Sequence, residues 1–413
     1  MPDFYAMSNK NILLATRPLT PPWDEASKNF AYFLAKSITD PELRLHILTT
    51  YSPSPARGEG RGEVGAPLIL SDNVIPHPIY PANDENHAGF PLSQKIRIPL
   101  YLLAHGHEYD IIHYLFTPTK LNAFITKHFV SKKPKTIQTI ATLREDILTP
   151  ADWQELFFAD QLVVYSDYSK NKLEKAGFKN VQRVYPGIDL EKYSPRPKDP
   201  EAMHSLNIAP EDFVILHNGE YTRLGATDML VAMLVKHLHF SPSSEPNLTP
   251  TLSSAQERGK LKFIFGNRLK NDADKKKKAE VVERLTQAGV IDSVRFTDTW
   301  KDMPTLYNLA DVIVFPAGDM KGKFDIPLAI IEPYACAKPV ILSDLEIFRE
   351  FSKPEFSVTI PAGDGEKLWQ AIEDLQADEA KRKILGVNAR LFTEQFFNLE
   401  MTAKDYENRY KTI

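Results

Sequence analysis

Short apolar runs alternate with amphipathic segments along most of the chain, which is typical of βα units and a parallel sheet. The pattern occurs once in each half, so we predict two open sheets. The predicted strands lie at residues 11–16, 45–48, 111–114, 136–140, 161–165 and 181–184, and then at 213–217, 261–265, 294–296, 311–315 and 339–342. Amphipathic periodicity predicts helices over 27–38 and over 167–176, with Ser166 as the N-cap of the second.

Changes in composition predict the domain boundaries. A proline-rich charged segment at 193–200 separates the two halves, so we expect an N-terminal domain over 1–194 and a second domain over 195–390. The helical pattern near the end of the chain breaks around 396–398, and we expect a separate C-terminal helix over 391–413. Segments 52–66 and 241–259 are rich in Ser and Pro and are predicted to be exposed insertions.

The bulk composition excludes several classes of protein. A length of 413 residues suits two domains, and 43% hydrophobic with 25% charged residues is ordinary for a globular protein. The net charge of -4 argues against a general nucleic-acid binder. One cysteine excludes an internal disulfide, and no secretory signal is evident at the N-terminus. We therefore expect a cytoplasmic protein, with peripheral contact at the inner membrane face as a further option.

One carboxylate lies where a predicted strand gives way to a predicted helix. The strand over 311–315 is followed by a loop and by a helical pattern over 330–336, which contains Glu332. Helix N-terminal amides at the carboxyl edge of a parallel sheet attract phosphate groups. This junction is therefore a predicted ligand site.

The sequence of this region resembles that of a known family. Residues 323–328 (KFDIPL) and 331–340 (IEPYACAKPV) resemble the donor-sugar motif of family 4 glycosyltransferases, in a variant branch with the Lys-Phe-Asp-Ile-Pro-Leu loop. Residues 163–170, 185–189 and 306–316 are similar to other segments of that family in the same order. The resemblance implies the GT-B fold, with two Rossmann-like open parallel-sheet domains facing a cleft and a C-terminal helix crossing back to the N-terminal domain.

The family also implies a chemistry. Its members move a sugar from a nucleotide-diphosphate donor, here UDP- or GDP-linked, to a hydroxyl of a glycan or lipid-linked acceptor. We expect a retaining hexosyltransferase that needs no metal and no cofactor and works in cell-surface polysaccharide or glycolipid synthesis. The alternatives are a degenerate, non-catalytic member that binds a glycan or nucleotide, and a sugar-nucleotide epimerase of the same architecture. The resemblance does not identify the base, the sugar, the acceptor or the oligomeric state.

The resemblance assigns donor-side roles to named residues. The counterpart of Glu332 holds the ribose, although a glutamate near a helix start is also a simple dipole partner. The family's other glutamate position is Phe324 here, so Asp325 is the candidate catalytic residue that contacts sugar hydroxyls, or else a carboxylate that stabilises the loop. The remaining donor-loop candidates are Gly219, Lys323, Ile326, Pro327 and Leu328.

The diphosphate requires cations, and the family places an Arg and a Lys near the first strand of the C-terminal domain. Here Glu220 and Leu224 lie near those positions. Arg223 is the remaining cation in that loop, with Arg268 or Lys270 as candidates to assist it, and the alternative for Arg223 is a solvated loop side chain.

The predicted acceptor side depends on weaker signals. His113 ends a predicted strand where the family often has an active-site histidine; a buried, hydrogen-bonded histidine is the alternative. Asp24 and Glu25 lie in the turn that replaces the family's glycine-rich loop, and Arg144 follows another strand, where it is a candidate to bind an anionic acceptor group.

A metal-binding motif is not expected. The sequence Asp-Ala-Asp at 272–274 lies at a predicted helix start, where acidic residues favour the helix dipole. The lysines at 275–278 are predicted to be a solvated helix face, with attraction to phosphate or lipid headgroups as the minor alternative.

Overall fold

A computed structural model describes residues 9–16, 19, 26–50, 73–80, 92–117, 119–238 and 260–413. The chain forms two compact units. Unit 1 contains Met1–Gly187 and Asn398–Ile413, and unit 2 contains Ile188–Phe397. The predicted insertions at 52–66 and 241–259 lie outside the described residues.

The described strands of unit 1 form a seven-stranded parallel sheet in the order β3-β2-β1-β4-β5-β6-β7. These strands are β1 (Lys10–Ala15), β2 (Leu43–Thr50), β3 (Val74–Tyr80), β4 (Ile111–Tyr114), β5 (Lys135–Ile140), β6 (Gln161–Val164) and β7 (Val181–Arg183). The helices that connect them are α1 (Ala26–Ser37), α2 (Leu92–His105), α3 (Lys120–Phe129), α4 (Pro150–Leu156) and α5 (Asp167–Lys175). The predicted cap is present, since the Ser166 side chain accepts a hydrogen bond from the Ser169 amide.

The described strands of unit 2 form a six-stranded parallel sheet in the order β10-β9-β8-β11-β12-β13. These strands are β8 (Phe213–His217), β9 (Leu261–Phe265), β10 (Val294–Phe296), β11 (Val312–Phe315), β12 (Val340–Ser343) and β13 (Ser357–Ile360). The helices are α6 (Pro200–Ser205), α7 (Thr227–Leu238), α8 (Asp272–Gln287), α9 (Met303–Leu309), α10 (Leu328–Ala335), α11 (Gly365–Ala377) and α12 (Glu379–Phe396). Apolar residues of β8, β9 and β11 and of the helices α7, α8 and α11 fill the core.

The two-sheet prediction is confirmed, and every strand predicted from an apolar run is present within a residue or two. Two edge strands, β3 and β13, were not predicted. The first carries prolines at 76 and 78, which an edge strand tolerates because part of its hydrogen-bonding potential faces away from the sheet. Such a segment lacks the uninterrupted apolar run of a central strand.

The final helix, α13 (Leu399–Thr412), belongs to unit 1, so the prediction of a C-terminal helix that returns to the first domain is confirmed. It packs against α1, and the Glu407 carboxylate accepts hydrogen bonds from the amides of Thr39 (2.9 Å) and Asp40 (3.0 Å). The Lys411 ammonium contacts the carboxylates of Asp40 and Glu42 at 2.6 and 2.8 Å.

The unit boundaries differ slightly from the predicted ones. Residues after 187 already belong to unit 2, because Arg390 on α12 donates hydrogen bonds to the carbonyls of Leu190 and Tyr193. The return to unit 1 begins at Asn398 instead of 391, since α12 continues unbroken to Phe396. Across the described parts of the chain, no helix combines the length and the apolar character needed to cross a bilayer.

Candidate functional site

The site of unit 2 lies at the carboxyl ends of β8 and β11, which are neighbours in the sheet although other strands separate them in the sequence. At such a position the connections leave in opposite directions along the sheet, and α/β proteins bind ligands there. The loop after β8 is joined to the loop after β11 by a hydrogen bond of 2.6 Å from the Gly318 amide to the Leu224 carbonyl. The two loops therefore form one connected rim.

Glu332 on α10 accepts a hydrogen bond of 2.8 Å from the Tyr307 hydroxyl, and Tyr193 also donates to it. The Tyr307 hydroxyl in turn accepts a hydrogen bond of 2.5 Å from the side-chain amide of Asn218, just after β8. Burial raises the pKa of Glu332 to about 6, and the hydrogen bonds from the two tyrosines oppose part of that rise. Glu332 as a residue retains partial solvent exposure, and its carboxylate is oriented by these donors.

The second feature of this rim is a group of three cations around one carboxylate, which we call the Glu220 cluster: Glu220, Arg223, Lys270 and Lys323. The ammonium groups of Lys270 and Lys323 both bind Oε1 of Glu220. The Arg223 guanidinium lies 3.7 Å from Oε2 and donates to the carbonyls of Lys321 and Gly322 at 3.3 and 3.2 Å. Three cations minus one carboxylate leave a charge of +2 when all groups are ionised.

The charges of the Glu220 cluster are unequally exposed. Burial lowers the pKa of Lys323 to about 8; the hydrogen bond and charge of Glu220 oppose that change, while the charges of Lys270 and Arg223 add to it. Burial acts to raise the pKa of Glu220, but the hydrogen bonds and charges of Lys270 and Lys323 outweigh it and leave that pKa low. The side chains of Lys270 and Arg223 remain 42% and 48% exposed. An anion arriving from solvent therefore meets two accessible cations and a third beneath them.

Gly219 occupies a position that admits no side chain. A Cβ there would lie 2.4 Å from Nε2 of His217, which is itself buried on β8. The Gly219 amide donates to Oδ1 of Asn267 at 3.0 Å. The glycine therefore lets the chain turn from β8 into the loop that carries the Glu220 cluster.

The donor-loop candidates lie together before α10. Asp325, Ile326 and Pro327 are buried, Lys323 belongs to the Glu220 cluster, and Leu328 begins the helix. Pro327 is the N-cap and its side chain makes no capping hydrogen bond, so the first amides of α10 have no side-chain acceptor at the cap. With Asp325 only 2% exposed, its burial favours the loop-stabilising alternative over direct contact with a sugar.

His113 occupies the environment that was the alternative to an active-site role. It is fully buried on β4, with Nδ1 2.7 Å from the Tyr410 hydroxyl and Nε2 2.7 Å from Oγ1 of Thr139. Burial lowers its pKa to about 3. Both ring nitrogens are therefore used by protein groups in this structure, as the buried, hydrogen-bonded alternative describes.

The other acceptor-side candidates are not brought together. The Arg144 guanidinium forms a two-point contact with Asp146, at 3.0 and 3.1 Å, which uses the groups that would bind an anionic acceptor. Asp24 and Glu25 lie outside the described residues.

The Asp-Ala-Asp sequence is part of a helix start, as predicted from its position. Asn271 caps α8, and Asp274 accepts hydrogen bonds from the Thr222 hydroxyl (2.7 Å) and the Lys270 amide (3.1 Å). Asp274 thus fixes the loops on either side of the Glu220 cluster. Within the described ranges, no group of three or more His, Cys, Asp or Glu side chains has the geometry to hold a metal ion.

Tyr307, Asn218 and Tyr193 were not predicted as site residues. Tyr307 belongs to the segment 306–316 that carried part of the resemblance, but its approach to Glu332 depends on the packing of α9 against α10. Lys323 and Lys270 were named singly, and the sequence offered no sign that they share one carboxylate.

A comparison with known proteins gives this geometry a family context. Residues 252–392 match the family described as "Glycosyl transferases group 1". The match covers less than half of the chain, and over these residues the sequence is similar to a group 1 glycosyltransferase domain. The matched residues contain Lys270, the loop after β11 and Glu332, which are half of the site described above.

Similarity to individual proteins extends over more of the chain. A D-inositol 3-phosphate glycosyltransferase of Streptomyces bingchenggensis is 25% identical over 244 residues, which are 58% of this chain and 50% of that protein. The chain therefore spans about half the length of this curated relative.

Solved structures extend the similarity of fold to 98% of the chain. Anabaena HepE in complex with UDP has a TM-score of 0.69 at 16% identity, and all of its chain is covered. The sucrose-phosphate synthase of Thermosynechococcus elongatus has a TM-score of 0.69 at 17% identity, with 98% of its chain covered. The predicted GT-B fold class is therefore confirmed.

Proposed function

We propose that this protein is a glycosyltransferase that transfers a hexose from a nucleotide-diphosphate sugar to a hydroxyl of a glycan or lipid-linked acceptor. The observation that carries the proposal is the position of the Glu220 cluster and Glu332 on one rim at the carboxyl ends of β8 and β11. A nucleotide sugar needs one group for the ribose hydroxyls and cations for the diphosphate, and this rim supplies both. That HepE was solved with UDP adds support from a protein of the same fold.

Each residue of the rim has a role in the proposal. The Glu332 carboxylate accepts hydrogen bonds from ribose hydroxyls, while Tyr307 and Tyr193 hold it in place. Arg223, Lys270 and Lys323 neutralise the diphosphate as negative charge grows on the leaving group, which is the main electrostatic requirement of the reaction. The N-terminus of α10, where the Pro327 side chain makes no capping hydrogen bond, adds the positive end of the helix dipole for the same anion.

The proposal includes finer features that follow from the family resemblance. Transfer retains the anomeric configuration, proceeds without a metal ion or other cofactor, and serves the synthesis of a cell-surface polysaccharide or glycolipid in the cytoplasm. The cations of the Glu220 cluster support metal-independence, since they supply the positive charge that a divalent ion would otherwise bring to a diphosphate.

A second candidate function is a non-catalytic protein that binds a nucleotide or glycan. The observation that favours this function is Glu220. It stands where the family often has a basic residue, and it is already paired with two lysines. If an incoming diphosphate can neither displace Glu220 from those lysines nor share them with Glu220, the donor does not bind and catalysis does not occur.

Titration calorimetry with UDP, GDP and their common sugars tests the donor site, first without added metal and then with magnesium. The proposal expects one nucleotide to bind without metal, and Glu332→Ala to weaken it at least about tenfold, as loss of a hydrogen bond to a charged group implies. Exposed Glu373→Ala on α11 is the matched control. Release of free sugar or transfer to a simple glycoside, measured with the nucleotide that binds, then separates the enzyme from the binding protein. If none of these nucleotides binds under either condition, the donor-site proposal is wrong.

A further inference from the structure

Large apolar side chains face solvent on two adjacent helices of unit 1. We call them the α2–α3 patch. Its members are 40–63% exposed: Ile96, Leu100 and Leu103 on α2, and Leu121, Phe124 and Phe129 on α3. The two helices pack against each other. The patch therefore lies on two neighbouring helices, and the rings of Phe124 and Phe129 are 6.1 Å apart within it.

These residues face solvent although α2 also packs an apolar side against the core of unit 1. The opposite side of α2 already buries Ile98 and Leu102 against the sheet of unit 1, where they are 2% and 1% exposed. Ile96, Leu100 and Leu103 recur at the spacing of one helix face, so α2 is apolar on both its inner and outer sides. Within the described part of the chain, no other element covers this outer apolar face.

Basic residues predominate on and directly after the two helices of the patch. Neither α2 nor α3 contains an Asp or Glu in its sequence. The segment from 120 to 135 carries five lysines and no acidic residue. Lys132, Lys133 and Lys135 follow α3 directly and are exposed. Acidic residues lie at two places beside these helices. Asp152 and Glu155 on α4 contact Lys120 at 2.6 and 3.1 Å, and Glu108, just after α2, contacts His105 at 2.9 Å.

Exposed apolar side chains beside an excess of lysines point to one kind of partner. An anionic bilayer offers acyl chains to the apolar residues and phosphate headgroups to the lysines, and each basic residue near such a surface adds to binding. A second copy of this chain fits poorly, because two such patches placed face to face would bring lysine against lysine. We propose that the α2–α3 patch binds the surface of an anionic lipid membrane.

This inference is independent of the donor site, because it concerns unit 1 and needs no nucleotide. In the setting proposed above, it gives the acceptor a location: the protein meets a lipid-linked acceptor at the membrane surface. Failure of nucleotide binding would leave the membrane inference intact, and failure of membrane binding would leave the donor site intact.

Vesicle co-sedimentation of the full chain tests the proposal. One set of vesicles contains equal parts of phosphatidylglycerol and phosphatidylcholine, and the other contains phosphatidylcholine alone. We expect binding to the anionic vesicles that weakens as salt is added, since the lysine contribution is screened. The double variant Leu100→Ser/Leu121→Ser should bind at least about tenfold less, because each serine removes a large apolar side chain from the contact. Replacing Lys132 and Lys133 by glutamine should reduce the preference for anionic vesicles.

The chain contains a matched control. Ile147 and Met401 are 64% and 51% exposed, against 57% and 58% for Leu100 and Leu121, and each directly follows an acidic residue, Asp146 and Glu400. The variant Ile147→Ser/Met401→Ser should bind vesicles as the unmodified protein does. Equal vesicle binding by the patch variant, equal binding to both kinds of vesicle, or no binding by the unmodified protein would overturn the proposal. So would light scattering that shows a dimer in lipid-free solution which the patch variant disperses, since a second copy would then cover the patch.

Discussion

The Tyr307 hydroxyl lies 2.8 Å from the Glu332 carboxylate and itself accepts a hydrogen bond from Asn218. Because the tyrosine proton points toward Glu332, the carboxylate is oriented before any ligand arrives. Its remaining lone pairs are the acceptors that a pair of ribose hydroxyls would need. The same hydrogen bond is made most strongly when Glu332 is ionised, and this couples nucleotide binding to pH.

Nucleotide affinity should therefore rise with pH through the pKa of Glu332. Burial raises that pKa to about 6, so the carboxylate is protonated in a large fraction of molecules at pH 5 and ionised at pH 7. Calorimetry over this range should show affinity increasing with a midpoint near 6. The variant Glu332→Gln should bind weakly with no such rise, since glutamine does not titrate. A rise of the same size in Glu332→Gln would assign the dependence to another group.

The same shift has the opposite effect on stability. Glu332 binds its proton more tightly in the folded state, because its pKa is raised from 4.5 to about 6. Its contribution to the free energy of unfolding is therefore largest below pH 4.5 and declines as pH rises to about 6. Denaturant titrations of the unmodified protein and Glu332→Gln should differ in slope with pH in this interval and run parallel above it.

Lys323 and Lys270 should contribute to binding of the diphosphate and not of the nucleoside. Replacement of either by glutamine should weaken binding of a nucleoside diphosphate by about ten- to hundredfold, the cost of a charge-assisted hydrogen bond, while leaving binding of the nucleoside nearly unchanged. Lys275→Gln on exposed α8 is the control, because its ammonium contacts only Asp272 among the ion pairs described. Equal losses for nucleoside and diphosphate would indicate that the lysines support the loop instead of the phosphates.

The fold was predictable from the sequence because buried parallel strands are short apolar runs, and all of those runs became strands. Boundaries were less predictable. Residues 188–194, predicted for the first domain, belong to unit 2, where Arg390, nearly two hundred positions away, donates to the carbonyls of Leu190 and Tyr193. Composition predicts that a linker exists. It does not predict with which of the two units the linker backbone forms hydrogen bonds.

The site was predictable only in part, for a similar reason. Glu332 could be identified because it belongs to a recognisable motif on the helix that follows β11. The Glu220 cluster could not, since its members come from the loops after β8, β9 and β11 and only the sheet order brings them together. His113 shows the converse: its strand-end position suggested a site residue, while Tyr410, at the far end of the sequence, occupies Nδ1.

Tyr410→Phe should therefore destabilise unit 1 without affecting nucleotide binding. The substitution removes the hydroxyl that pairs with His113 and leaves Nδ1 buried without a partner, at a cost of about 1–3 kcal/mol. Denaturant titration followed by circular dichroism measures this, with Thr412→Ala at the exposed end of the same helix as the control. An unchanged free energy of unfolding would show that the hydrogen bond contributes no net stability.

The contact between α10 and α12 depends on Gly386. A Cβ at this position would lie 2.1 Å from the Ala337 carbonyl oxygen, which ends the turn after the Glu332 helix. In an exposed helix Gly→Ala gains about 1 kcal/mol, but here the added methyl group must push α12 away from that backbone. We expect Gly386→Ala to destabilise unit 2 by more than that gain, and to weaken nucleotide binding as well by displacing Glu332. Val387→Ala, at a position 56% exposed on the same helix, should change neither. Thermal unfolding and calorimetry on both variants provide the measurement, and a Gly386→Ala protein as stable as the original would show that α12 can shift at no cost.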